Sequence, residues 1–290
     1  SDWRKVIDRK DIEAVFVATP PNLHSEMAIA ALQSGKHVYC EKPIGVTPRQ
    51  VQDLVLAAQA SDRVFVSGQQ LRSYKQLNEA VAKIRAGVMG KIVMVKAQRH
   101  ATADLPYDGS SGDWYYDVNK SGGYLVEQSV HNLDACNWVV GEHPKRVSGY
   151  GGMLMHPNEP VGRTIFDSGT LSYEYPSGVI MSFTQNVFHP RGMPGGGQPL
   201  MVFGTKGAVD FLYSTNFYPI GGDGKPTQLS PQVKEPTHAH ITAFYDCITK
   251  GSPNPAGIME GATGALTAIM GHMAMVKQGQ VDWIDLGVNF

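Results

Sequence analysis

The switch between two hydrophobic periodicities constrains this chain most. Over the first third, short β-rich runs alternate with helical segments, the pattern of βαβ units around a parallel sheet. Ala14 to Ala18 reads as a buried strand, and His24 to Ser34 as a helix with Asn22 placed to cap it and Gly35 to end it. A second strand follows at His37 to Cys40. Thr47 and Pro48 are the cap and first-turn pair of a helix reaching about Ala60, and Val64 to Ser67 is a third strand. A helix from Ser73 ends near Gly87, and a long strand runs from Ile92 to Arg99. After a Gly/Ser/Asp/aromatic loop at Thr102 to Ser121, a helix is expected from Tyr124 to Val140. From Lys145 to Tyr213 the pattern becomes successive strands with turn signals at Pro176-Ser177-Gly178 and Gly204-Thr205-Lys206-Gly207, the mark of an antiparallel sheet. Pro190 to Pro199 reads as a long loop; helices at Thr237 to Lys250 and Ile258 to Lys277 and a short docking strand at Val281 to Trp283 follow. The expected fold class is therefore α/β, a doubly wound parallel-sheet domain over residues 1–90, then an α+β domain with an open, mostly antiparallel sheet over residues 91–290.

A hydrophobic content of 42% in 290 residues supplies material for two packed cores, so disorder is not expected. The net charge of -1, without runs of one sign, leaves no electrostatic footprint for nucleic acid or an anionic membrane; a neutral small molecule fits better. No apolar stretch approaches the ~18 residues of a membrane-spanning helix. Cys40, Cys136 and Cys247 lie far apart without metal-ligand spacing and read as reduced core residues, and no metal site is expected.

Three clusters carry chemistry. Thr19-Pro20-Pro21-Asn22-Leu23-His24 sits where a strand's carboxyl end turns into a helix, the place where open α/β sheets bind ligands, although ordinary turn and capping chemistry would use the same residues. Glu41-Lys42-Pro43 ends the next strand, so neighbouring strands deliver polar groups to one sheet edge. Lys42 could stabilise developing alkoxide character by charge proximity, and a surface ion pair of Glu41 is the bland alternative. The third cluster runs from Gly122-Gly123 through Glu127 and His131 to Asp134. On one helix these three side chains share a face, and a carboxylate beside an imidazole suits proton transfer to and from a carbinol. A solvated helix face is the alternative, and two ligands on one helix make a metal site weak.

Taken together, Thr-Pro-x-x-x-His, Ser-Gly-Lys-His-Val, Glu-Lys-Pro and Gly-Gly-x-x-x-acid-x-x-x-His-x-x-Asp resemble the glucose-fructose oxidoreductase/inositol dehydrogenase/MocA (Gfo/Idh/MocA) family. The resemblance is carried by motifs over about residues 11 to 140 and by architecture beyond. It implies a Rossmann domain, NAD or NADP as cofactor, and hydride transfer to or from a sugar, cyclitol or related polyol. By it, Lys42 stands beside nicotinamide and substrate, His131 transfers the proton, and Glu127, in place of the usual aspartate, reads a substrate hydroxyl. Thr19, Pro20, Asn22, His24, Glu41, Pro43 and Gln70 would line the cofactor; Arg99 and Trp114 would face the substrate, with Arg72 as a further cleft residue. The family's Gly-x-Gly-x-x-Gly turn does not stand ahead of Ser1, and Gly192 to Gly197 has no following helix, so about 60 residues, two βα units, are expected to be missing. A homo-oligomer through the open sheet and a cytoplasmic location are expected, with export by a preceding segment left open. Two other functions stay open: a cofactor-free sugar-binding or assembly protein on the same scaffold, and an NAD-dependent glycosidase relative. A retained, tightly bound nicotinamide would discriminate against the first of these.

Overall fold

The computed structural model describes residues 2–101, 112–212, 214–232 and 238–290. The first half of the loop expected at Thr102 to Ser121, together with Tyr213 and Thr237, lies outside them. In chain order the helices are α1 (Arg4–Ile7), α2 (His24–Gln33), α3 (Pro48–Gln59), α4 (Lys75–Arg85), α5 (Val118–Ser121), α6 (Tyr124–Glu127), α7 (Val130–Val140), α8 (Ala239–Lys250) and α9 (Ile258–Lys277). The strands are β1 (Ala14–Val17), β2 (His37–Cys40), β3 (Phe65–Ser67), β4 (Ile92–His100), β5 (Arg146–Gly152), β6 (Ser168–Glu174), β7 (Ile180–Asn186), β8 (Leu200–Gly204), β9 (Gly207–Asp210), β10 (Asn216–Pro219), β11 (Thr227–Gln228) and β12 (Gln280–Asp282).

β1, β2 and β3 form a parallel sheet in that order, Val17 opposite Cys40 and Cys40 opposite Ser67, so all three carboxyl ends lie along one edge. The helices beside it follow their sequence logic. Thr47 caps α3 by accepting from the Gln50 amide at 3.2 Å, and α4 buries Leu77, Ala80, Val81 and Ile84, the stripe of a helix with one face on a core. Asn22 does not cap α2: a 3-10 turn at Pro21–Leu23 precedes that helix, and the Asn22 Oδ1 is buried without a hydrogen-bond partner. The two prolines drive this, because Pro20 and Pro21 fix extended and then first-turn backbone angles one residue too early for a cap at Asn22.

The second sheet has nine strands in the order β11-β10-β9-β8-β4-β7-β6-β5-β12. It is mixed rather than wholly antiparallel, since β4 and β7 run parallel at its centre while their other neighbours are antiparallel. Alternate residues Val147, Leu171, Tyr173, Met181, Phe183, Val202 and Val209 point into the core, and Lys96, Ser148, Tyr150, Thr170, Ser172 and Ser182 point out. The expected docking strand forms as β12, paired with β5. Helix α9 joins the halves: it packs on α3 and β3 on one side and on α7 and β5 on the other, with small residues that allow close approach. All three cysteines are free and buried, and burial pushes each thiol above its ordinary range.

Candidate active site

The loops after β1, β2 and β3 meet the segment from Gly122 to Asn132. Gly122 has φ +78°, and a Cβ there would lie 2.8 Å from Val126 Cγ1, so the bend needs glycine; Gly123, at φ +88°, completes it. α6 follows, and Glu127 ends it with its side chain buried against Lys42.

Lys42 Nζ donates to Glu127 Oε1 at 2.7 Å and to the Glu127 backbone carbonyl at 2.6 Å, in an ion pair whose side chains are 14% and 10% exposed. The expectation of one helix from Tyr124 to Val140 is corrected here: α6 ends at Glu127 and α7 starts at Val130. The helical ladder is interrupted at Gln128-Ser129, where the Ser129 amide reaches back to Tyr124 O at 3.2 Å, and the Glu127 carbonyl beside the break accepts from the Lys42 ammonium. Glu127 therefore does not share a helix with His131 and Asp134. Asp134 turns away and takes Arg72 in a two-pronged pair at 2.8 and 2.9 Å, in the interior.

Around the break lies a polar array. The Gln128 amide donates to Glu127 Oε2 and accepts from Arg99 Nη2 at 2.7 Å, so Lys42, Glu127, Gln128 and Arg99 form one chain of hydrogen bonds. His131 Nδ1, Asn132 Oδ1 and Arg99 Nε are buried with no partner among the described residues. Burial drives the His131 pKa well below the ordinary histidine value, and the positive charges of Lys42 and Arg99 press the same way. The ring is neutral at pH 7 and able to take a proton. Burial also pushes the Tyr124 hydroxyl up to about 12, against the pull of Arg99. Beside them opens a cavity of about 360 Å3 lined by Gln70, Leu71, Tyr74, Gln76, Leu77, Arg99, Gln128, His131, Asn132, Gln198 and Leu212. That volume is at the lower end of the roughly 300–1,000 Å3 usual for small-molecule sites.

The other expected site residues divide. Gln70 and Arg99 line the cavity with His131. Thr19, Pro20 and Asn22 follow β1, beside Glu41 and Pro43 after β2. His24 is engaged internally, its two ring nitrogens 2.7 Å from the carbonyls of Thr19 and Pro43, so it ties these two loops together. Glu41 also faces inward, accepting from the Tyr39 hydroxyl and from the Lys42 amide. Trp114 is half-buried, edge-on to Tyr115 in a small aromatic cluster with Tyr124 and Val187. Gln128, Asn132, Tyr74 and Gln198 escaped the sequence reading. Asn132 adjoins His131 and Gln198 lies in the expected 190–199 loop, but nothing local marks Gln128 or Tyr74. Among the described residues no group of three or more His, Cys, Asp or Glu side chains could hold a metal ion. Nor is any helix among them long and apolar enough to cross a membrane.

Residues 1–69 match a sequence family described as "Oxidoreductase family, NAD-binding Rossmann fold", and residues 77–210 match the "GFO/IDH/MocA C-terminal domain". The chain belongs to the Gfo/Idh/MocA family. A 2,7-anhydro-N-acetylneuraminate hydratase of Escherichia coli (strain K12) is 29% identical over 224 residues, 76% of this chain and 57% of the relative. A myo-inositol 2-dehydrogenase of Thermotoga maritima is 26% identical over 212 residues, 72% of this chain and 59% of the relative. The chain spans about half the length of the curated relatives it matches. A solved levoglucosan dehydrogenase in complex with NADH superposes with a TM-score of 0.82 at 22% identity, over 97% of this chain and 82% of that one, a likeness of fold. The α/β class expected from the alternating periodicities is thus the class found.

Proposed function

We propose that this Gfo/Idh/MocA chain carries the substrate half of an NAD- or NADP-dependent oxidoreductase that moves a hydride between nicotinamide and a secondary carbinol of a sugar, cyclitol or related polyol. The observation that carries this reading is a charge-fixed lysine and a neutral histidine with an open ring nitrogen, together at the carboxyl edge of a parallel sheet. The residues fit a nicotinamide: the unpartnered Asn22 Oδ1 and the Thr19 and Pro43 loops, held by His24, make a polar wall along that edge. Thr19, Pro20, Asn22, Glu41, Lys42, Pro43 and Gln70 would hold its ribose and ring side, and Glu127 would read a substrate hydroxyl. When bound, the cofactor supplies two-electron hydride chemistry.

The chain's own residues place and deprotonate the carbinol. Lys42 has three N–H donors, two of which go to Glu127, so its position is fixed and the third is left for the carbinol oxygen. There it favours the oxyanion character that develops as hydride leaves carbon. His131 takes the hydroxyl proton and returns it in the reverse direction; burial and the nearby positive charges keep the ring unprotonated, in the form that accepts a proton. Self-association through the outward face of the nine-stranded sheet, with Tyr150 at 66% exposure, belongs to the same reading and is measured by sedimentation.

The test is nicotinamide binding by titration calorimetry to the 290-residue chain and to the full gene product side by side, followed by a polyol screen reading nicotinamide absorbance. Lys42→Ala and His131→Ala should each lower kcat by about 10²- to 10⁴-fold. Absence of nicotinamide binding by both proteins sinks the hydride-transfer reading in favour of a sugar-binding protein. Turnover that survives both substitutions sinks the assignment of the two residues.

A further inference from the structure

The charges around the cavity are unevenly balanced. Lys42 is paired with Glu127 and Arg72 with Asp134, each within 2.8 Å. Arg99, which lines the cavity, has no carboxylate partner among the described residues: its Nη2 donates to the neutral amide of Gln128, and its Nε–H is sealed without an acceptor. Among the described residues no Asp or Glu lines the cavity. Arg99, partly exposed with its Nε–H sealed, therefore stands beside apolar walls at Leu71, Leu77 and Leu212 and meets no carboxylate among the described lining residues. The near-neutral chain as a whole suggests a neutral substrate; the local field at this site does not.

We propose that the cavity takes an acidic sugar, a monosaccharide bearing one carboxylate, and that Arg99 is the residue that selects it. The carboxylate supplies both the missing countercharge and an acceptor for the guanidinium, in the bidentate geometry that arginine offers best. The side-chain amides of Gln70 and Asn132 lie where they can read hydroxyls, each offering a donor and an acceptor. A single cation and one amide neighbour match a monoanion; a dianionic phosphate would call for a second cation, and Lys42 is committed to Glu127. This deepens the oxidoreductase reading and rests on it for which carbon reacts, whereas carboxylate selection stands on Arg99 alone.

The experiment measures binding and turnover separately on the full gene product, with D-glucuronate against D-glucose and D-galacturonate against D-galactose. The uronates should bind roughly tenfold or more tightly than their parent aldoses, the scale of one charge-assisted pair. Arg99→Gln should bring each pair to within about threefold, and Arg99→Lys, which keeps the charge without the fork, should keep an intermediate preference. Equal affinity of uronate and aldose in the wild type, a preference that survives Arg99→Gln, or tighter binding of a hexose 6-phosphate than of the uronate overturns the proposal. Arg99-dependent uronate binding without nicotinamide reduction leaves the acid-sugar site standing and removes the hydride-transfer reading. Turnover of neutral polyols alone does the reverse.

Discussion

Replacing Arg72 with methionine should cost this protein about 3–5 kcal/mol of stability at pH 7, the usual penalty for stranding one member of a buried ion pair. Arg72 and Asp134 are 11% and 2% exposed and bond at 2.8 and 2.9 Å. At an effective dielectric near 20, charges that close attract by about 6 kcal/mol, and desolvation of both groups offsets much of this. The variant therefore reports mainly the cost of leaving the Asp134 carboxylate sealed, plus about 0.5–1 kcal/mol for the guanidinium that lies 5.3 Å over Trp138. The pH dependence gives a second, signed readout. Burial already raises the Asp134 pKa while Arg72 opposes that rise. Without Arg72 the folded carboxyl holds its proton at pH values where the unfolded chain has released it, so the penalty shrinks as pH falls from about 7 to 5. Urea unfolding followed by tryptophan fluorescence at both pH values measures this, with Arg72→Met/Asp134→Leu expected to recover most of the loss. A cost under about 1 kcal/mol, or a penalty that grows on acidification relative to the wild type, would refute the pairing as the tie between α7 and the loop after β3.

Burial holds the pKa values of His24, His131, His240 and His272 below the ordinary histidine value. The unfolded chain thus binds more protons below about pH 6.5, and thermal stability should start to fall there, before carboxylates titrate; a flat calorimetric melting temperature down to about pH 5 would contradict it. Gly271→Ala places a methyl carbon 2.0 Å from Tyr173 Oη and 2.8 Å from Leu125 Cδ2, so despite alanine's better helix propensity it should cost about 1–3 kcal/mol by denaturant unfolding. A stabilised variant would mean that α9 does not pack against β6 as closely as described.

Where a segment's conformation is decided by its own residues, the sequence was enough. Thr47-Pro48 caps and starts α3, the Ile258–Lys277 helix has the bounds its pattern indicates, and Pro176-Ser177-Gly178 turns β6 into β7, with the Gly178 amide bonding Tyr175 O at 2.9 Å. Asn22 was misread as a cap because two prolines ahead of it set backbone angles that favour a 3-10 turn. The parallel pairing of β4 with β7 was illegible for a different reason: strand alternation tells which face is buried and says nothing of which strand lies alongside.

The break between α6 and α7 is the most instructive miss, because the cation bonded beside it lies 85 residues away. Tyr124 to Val140 has no proline, and its glycines precede it, so local propensity supports one helix. At the break, the Glu127 carbonyl accepts from the distant Lys42 ammonium at 2.6 Å. A buried hydrogen bond to a charged group is worth about 1.5–3 kcal/mol, which helps to hold the backbone in place beside the break. The break takes Glu127 off the helix that carries His131 and Asp134; His131 lines the cavity with Arg99, and Asp134 pairs with Arg72. Two acidic residues that a helical wheel sets beside one histidine thus end up neutralising two different cations, while Arg99, without a carboxylate partner among the described residues, faces the cavity.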